Sequence, residues 1–301
     1  MTRSDVTRLH FQLPASTRLA WVSDGARAIW LPRVEAVRSA LETLEIRSIA
    51  AGLRVAAVLM CSADELVNLC DRAATLGLVT QPFDRRQLPT AGVPLERFPY
   101  RPDRPFAFAV AIARRETLAS MTDALQDPIH RAQLVGAPAC CAEFLAETYR
   151  DGWLDPTWPM ARRSCAPQDR VADLQLAAGA NTLLRPLGIY PVFHAPCSFA
   201  CVETLARSAE IAALGRSIGL GQDMEWLDEI LSWPTLWSAL HGLAEVKNPV
   251  LRLVTTTDAT GEKIEIRARS ERYPLEGARA VRFPYAVAGR PPTSPVLQVT
   301  R

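Results

Sequence analysis

Apolar positions along the first 130 residues change period several times, and each change predicts an element. Leu19 to Val22 and Ala28 to Leu31 read as two short strands of a hairpin about Asp24-Gly25. Pro32 then suits a first helical turn, with Val34, Val37, Leu41 and Leu44 recurring at helical spacing behind it. Arg54 to Cys61 reads as a buried strand, and Ser62 followed by Asp64 and Glu65 as the capped start of a helix reaching Leu78. The proline- and arginine-rich stretch from Gln81 to Arg104 reads as a surface connection. Phe106 to Ala113 is a third buried strand, leading into a helix over 116–126. Repeated strand–helix alternation predicts an α/β class with a mixed, partly parallel N-terminal sheet layer.

The middle of the chain reads as mostly helical. Helices are expected from Pro138 to Arg150, from Asp169 to Leu184, and from Pro196 or Ser198 to Ile218, with Leu187 to His194 extended between the last two. Trp226 to Leu243 suggests another helix, whose acidic run Asp223, Glu225, Asp228 and Glu229 forms a cap and solvent face. Leu251 to Thr257 and Lys263 to Ala268 alternate at period two about Ala259-Thr260-Gly261, predicting a small C-terminal β-hairpin. The expected organisation is an α/β domain over 1–128, a helical Cys/His metal-binding domain over 129–290, and a loose tail over 291–301.

Composition narrows the function classes. A chain of 301 residues with 49% apolar and 22% charged residues and net charge +2 can bury a large core without staples. Lys247 and Lys263 are the only lysines, and the arginines are scattered with acidic residues nearly balancing them. No basic stripe of the kind nucleic acid requires is present. The first residues carry no secretory pattern, and Val55 to Cys61 and Phe106 to Ala113 are too short to span a bilayer. A soluble, cytoplasmic protein with neither nucleic-acid nor membrane partners is expected. In a reducing compartment its seven cysteines are not structural disulfides, and clustered thiols point to metal or redox chemistry.

Two short segments hold that chemistry: Gly136-Ala137-Pro138-Ala139-Cys140-Cys141 and His194-Ala195-Pro196-Cys197-Ser198-Phe199-Ala200-Cys201. Both read as helix starts, where unpaired amides favour thiolate, the form that binds metal. Cys197 and Cys201, four apart, would share one helix face. Cys140 and Cys141 differ by about 100° of helix rotation, so one is expected to ligate and the other to pack nearby, coordinate weakly or act on substrate. Cys141 is the choice as ligand. Cys61 and Cys70 read as core thiols, and Cys165 as incidental or a spare fourth thiolate. Glu143 and Glu203 are candidate acid–base groups, although carboxylates so placed are more often solvated helix faces. Arg185 is a candidate for binding an anionic substrate. No glycine-rich phosphate loop, His-Glu-x-x-His helix or Gly-x-Ser-x-Gly elbow occurs, and there are four histidines in all.

The strings Gly136-x-Pro138-x-Cys140-Cys141-x-x-Phe144 and His194-x-Pro196-Cys197-Ser198-x-x-Cys201 resemble an uncharacterised prokaryotic family near domain of unknown function 483. The resemblance covers roughly residues 130 to 290, including Thr257-Asp258-Ala259-Thr260 and Phe283-Pro284-Tyr285. It implies that the ligands form a unit and carries no reaction with it.

Three readings follow. The preferred one is an iron–sulfur enzyme in which Cys141, Cys197 and Cys201 hold a four-iron cluster with one iron open to a small-molecule substrate. Its chemistry would be redox or sulfur transfer, with an electron-donor protein as partner. The second is a zinc protein in which three thiolates and His194 close a structural site. The third is a metal-free thiol redox protein in which Cys140, Cys141 and Cys197 exchange disulfides.

Overall fold

The computed structural model describes residues 7–14, 16–83, 107–124, 127–166 and 168–276. It has α/β architecture with two sheets and a long helix that serves both. Strand β1 (Thr17–Trp21) is followed directly by helix α1 (Asp24–Ala50), so the hairpin expected about Asp24-Gly25 does not form. The Ser23 side chain accepts a hydrogen bond from the Ala26 amide at 3.1 Å, capping a helix that begins well before Pro32. Ala26, Trp30, Val34, Val37, Leu41 and Leu44 are all buried, so the helical period extends upstream through the run that resembled a strand.

α1 spans about 40 Å at 1.5 Å per residue. Its residues up to Leu44 pack in the larger apolar core, whereas Ile46 and Ile49 pack in a smaller one with Ala57, Leu69, Ala73, Val110 and Ile112. The smaller core lies under β2 (Ala56–Ser62), α2 (Ala63–Ala74), β3 (Val79–Phe83) and β4 (Ala107–Ala113), which is followed by α3 (Arg115–Ala124). Ser62 caps that helix start as expected, and Glu65 completes a capping box with it. The strand order is β2-β4-β3 and both pairings are antiparallel, so strand–helix alternation here does not produce a parallel sheet.

The parallel pairing lies in the second, six-stranded sheet, which joins β1 to β5 (Val171–Gln175), β6 (Thr235–Leu240), β7 (Leu243–Lys247), β8 (Leu251–Thr256) and β9 (Ile264–Arg269) in the order β1-β8-β7-β6-β9-β5. Val171–Gln175, read as part of a helix, is β5, which pairs in parallel with β9 (Ile264–Arg269). The following segment to His194 is irregular, with short 3-10 turns at Ala178–Ala180 and Arg185–Leu187. The region read as one helix from Trp226 is split into α8 (Gly221–Leu231) and β6 (Thr235–Leu240) by Trp233-Pro234. β6 is buried on both faces, so its residues show no period-two alternation to read.

The C-terminal half has its hairpin, formed by β6 and β7 (Leu243–Lys247) about His241 and Gly242, both at positive φ. The two strands predicted to pair with each other, β8 (Leu251–Thr256) and β9, are separated by β7 and β6. The intervening Thr257-Asp258 instead clamps a distant turn. Asp258 accepts from the Leu154 and Asp155 amides at 3.1 and 2.7 Å, and Trp158 Nε1 donates to Thr257 Oγ1 at 3.0 Å. The predicted tail over 291–301, most of the connection over 81–104, and Phe283-Pro284-Tyr285 lie outside the described residues.

Candidate metal centre

Helix α4 (Pro128–Leu134) ends in a tight reversal that delivers the first pair of thiols. The Gly136 amide donates to Gln133 O at 2.9 Å and the Ala137 amide to Ala132 O at 3.0 Å, a Schellman closure. Gly136 has φ +92°, and a Cβ there would stand 3.0 Å from Arg54 Cβ, so both backbone and space call for glycine. Pro138 follows as the N-cap of α5 (Ala139–Arg150), which puts Cys140 and Cys141 in its first turn as expected.

The second pair arrives differently from the reading of the sequence. The segment from His194 to Phe199 is not helical, and Cys201 is the N-cap of α7 (Val202–Ser217). Cys197 and Cys201 therefore meet by a turn, with the Cys201 amide donating to Ser198 O at 3.3 Å, rather than along one helix face.

The four sulfurs converge. Cys140, Cys141 and Cys201 form a nearly equilateral triangle, with Sγ–Sγ separations of 3.8, 3.7 and 3.7 Å. All four Sγ atoms, including that of Cys197, lie within 4.8 Å of one another. Cys140 and Cys141 thus both aim at one point, contrary to the expectation that their helix rotation separates them. The point lies off the end of α5, where neighbouring side chains can close on a common focus. The Cys197 amide donates to Cys141 Sγ at 3.3 Å, fastening the turn to the first pair.

Charge favours the thiolate form unevenly. Burial works against ionisation of Cys201, but the facing Thr204 hydroxyl and amide, with the Cys197 and Cys141 thiols, bring it down to about 7. Burial, then its Cys201 neighbour, pushes Cys197 up to about 11, and burial also drives Cys141 well above the ordinary thiol range. One ready thiolate, Cys201, thus stands beside two reluctant thiols, Cys141 and Cys197, a set from which a divalent cation would displace protons.

The remaining candidates fall around this centre. His194 does not join the thiols: its Nε2 lies 3.0 Å from Thr204 Oγ1, which lies 3.5 Å from Cys141 Sγ. The ring is buried, and burial followed by the charges of Arg185 and Arg207 lowers its pKa to about 3, keeping it neutral. Arg185 donates to the carbonyls of Val192 at 2.9 Å and His194 at 2.8 Å, and so braces from within the segment that leads to Cys197. Glu143 is exposed on α5, outside the cleft beside the thiols. Glu203 lines that cleft, of about 440 Å³, with Pro138, Ala139, Cys140, Arg207 and Glu210. Cys165 closes helix α6 (Thr157–Ser164) and is no member of the four-thiol group; Cys61 is in the smaller core and Cys70 Sγ lies 3.0 Å from Thr80 Oγ1.

Two features escaped the reading of the sequence. Thr204 links His194 to Cys141, and its signal was a hydroxyl three residues into the helix that Cys201 starts. The second is a buried ion pair between Glu45 and Arg54. Tyr190 Oη donates to Glu45 at 3.1 Å, and the Arg54 guanidinium lies 4.1 Å from the Phe193 ring centroid. The pair thereby holds α1 against the segment that precedes the ligands, a relation between residues too far apart in sequence to be read.

No protein-family model matches the chain, and neither a curated protein nor a solved structure is significantly similar to it. The family resemblance therefore stands on its motifs.

Proposed function

We propose that this protein binds one zinc ion through Cys140, Cys141, Cys197 and Cys201, and that the ion fastens the start of α5 to the start of α7 and the turn before it. The observation that carries this is the Sγ triangle of 3.7–3.8 Å. A tetrahedron with zinc–sulfur bonds of about 2.3 Å has edges of about 3.8 Å. The fourth thiol, within 4.8 Å of the rest, closes the set. A four-iron cluster distributes its thiolates over separate irons and calls for wider spacing, so the geometry favours a single ion. With His194 engaged elsewhere, the zinc site takes four thiolates rather than three and an imidazole.

The site also suits the ion energetically. Three irregular or helix-terminal backbones meet there without a shared strand ladder, and a structural zinc site contributes folding free energy directly. Metal and acid-labile sulfide content, with a visible spectrum, measured on protein purified without oxygen, test the reading. One zinc per chain, no sulfide and no colour are expected, with the metal lost in Cys141→Ser. Iron with sulfide would return the weight to the cluster enzyme, and a metal-free chain active with thiol reductant would return it to disulfide exchange.

A further inference from the structure

The four thiols are not equivalent, and the difference assigns a reactive one. Cys141 receives the Cys197 amide and faces the Thr204 hydroxyl, and Cys201 faces Thr204 as well. Donors of this kind withdraw charge from a thiolate and blunt its attack on carbon. Cys140 has no N–H or O–H donor on its sulfur among the described residues, and Cys197, which shares that condition, is half-buried. Cys140 alone of the four is exposed, and it lines the 440 Å³ cleft.

The cleft also has a sign. A zinc ion with four thiolates is doubly negative, and the cleft adds Glu203, Glu210 and Arg207. Arg207 is engaged, donating to Glu210 Oε2 at 2.7 Å and to Leu53 O at 3.1 Å. Glu203 forms no ion pair among the described residues, the neighbouring Arg207 being taken by Glu210. A field of this sign draws in cations and repels anions, and Pro138, Ala139 and Ala206 offer the small apolar wall that a methyl-bearing group needs.

Resting on the zinc reading above, we propose that Cys140 is a metal-activated alkyl acceptor for a cationic alkyl donor, a sulfonium or quaternary ammonium compound. The Cys140 sulfur attacks the alkyl carbon. A sulfur–carbon bond forms as the bond from carbon to the cationic centre breaks, and that bond's electron pair leaves on the neutral sulfide or amine. One negative charge of the centre and the positive charge of the donor cancel, no proton moves, and no oxidant or reductant is consumed.

The test exposes the zinc-loaded full chain to trimethylsulfonium and, separately, to neutral methyl iodide, with zinc content, intact mass and peptide mapping on each sample. One methyl group per chain on Cys140 is expected, ahead of Cys70 and Cys165. Glu203→Gln is expected to slow trimethylsulfonium about fivefold, the weight of one water-screened charge about 4 Å away, and to leave methyl iodide unchanged. Zinc bound with Cys140 unmodified, or methylation spread evenly over the cysteines, overturns the acceptor role alone. An equal effect of Glu203→Gln on both probes overturns the cationic substrate class. A chain that binds no zinc overturns this inference together with the metal reading. Mapping is done on wild type, so a failure of Cys140→Ser to fold does not blur the outcome.

Discussion

His194 Nε2 and Thr204 Oγ1 stand 3.0 Å apart, both buried, on the two sides of the turn that carries Cys197 and Cys201. The hydroxyl that meets the imidazole also meets Cys141, so one small side chain joins the segment before the four-cysteine group to a thiol within it. Partners of this kind orient ligands and commonly change metal affinity by about 10- to 100-fold when removed. Thr204→Val, which keeps the shape and removes the hydroxyl, is expected to weaken zinc by about that factor in a chelator competition, whereas Thr204→Ser retains most of it. Equal affinities in the two variants would deny the hydroxyl a role.

The same histidine sets a pH dependence. Its folded pKa of about 3 lies below the unfolded value of 6.5, so below pH 6.5 the unfolded chain takes up a proton that the folded chain refuses. Stability contributed at this position is intact above 6.5 and falls by about 1.4 kcal/mol for each pH unit down towards 3. Urea denaturation of His194→Gln between pH 7 and 5 is expected to show a shallower decline than wild type. Parallel curves would mean the ring is not held neutral.

Much of this was legible beforehand, and the misses share a cause. β2, β4, α2, α5 and the two cysteine segments that meet follow from local period, caps and residue type, whereas β3 forms where the end of a helix and a surface connection were expected, its strand form imposed by pairing with β4. Val171–Gln175 did not, because its strand form is imposed by β9, almost a hundred residues later. Nor did the convergence of Cys140 with Cys141, which depends on where Cys201 stands rather than on the rotation of α5. His194 has the right chemistry for a ligand, and only the fold reveals that Thr204 has engaged it.

Glu45 and Arg54 supply a third expectation. Both side chains are buried, and Arg54 also donates to Ser48 Oγ at 2.8 Å. Truncating one partner strands the other charge, at about 3–5 kcal/mol. Glu45→Ala is expected to lose that much in chemical denaturation, and Glu45→Leu with Arg54→Met to recover a large part of it. A double variant as unstable as the single would place the cost in packing instead.

Removing the metal should matter to the whole chain. A ligand that binds only the folded state stabilises it by about 2.7 kcal/mol at a hundredfold excess over Kd. Calorimetry before and after a strong chelator is expected to show a lower Tm, restored by added zinc and unchanged by magnesium, which prefers oxygen ligands. A Tm indifferent to the chelator would argue against a folding role for the centre.

β1 pairs with β8 from Thr17↔Thr255 to Trp21↔Leu251, and Leu9 N–H reaches Ala259 O at 2.8 Å. A ribosome makes these partners in the wrong order for quick pairing. The beginning of the chain must wait unpaired while more than two hundred residues emerge, and all four clustered thiols are released before its partner strand exists. Because sheets built from such distant segments close slowly, the metal capture proposed above would precede completion of the large sheet during biosynthesis, giving the nascent middle of the chain an anchor of its own.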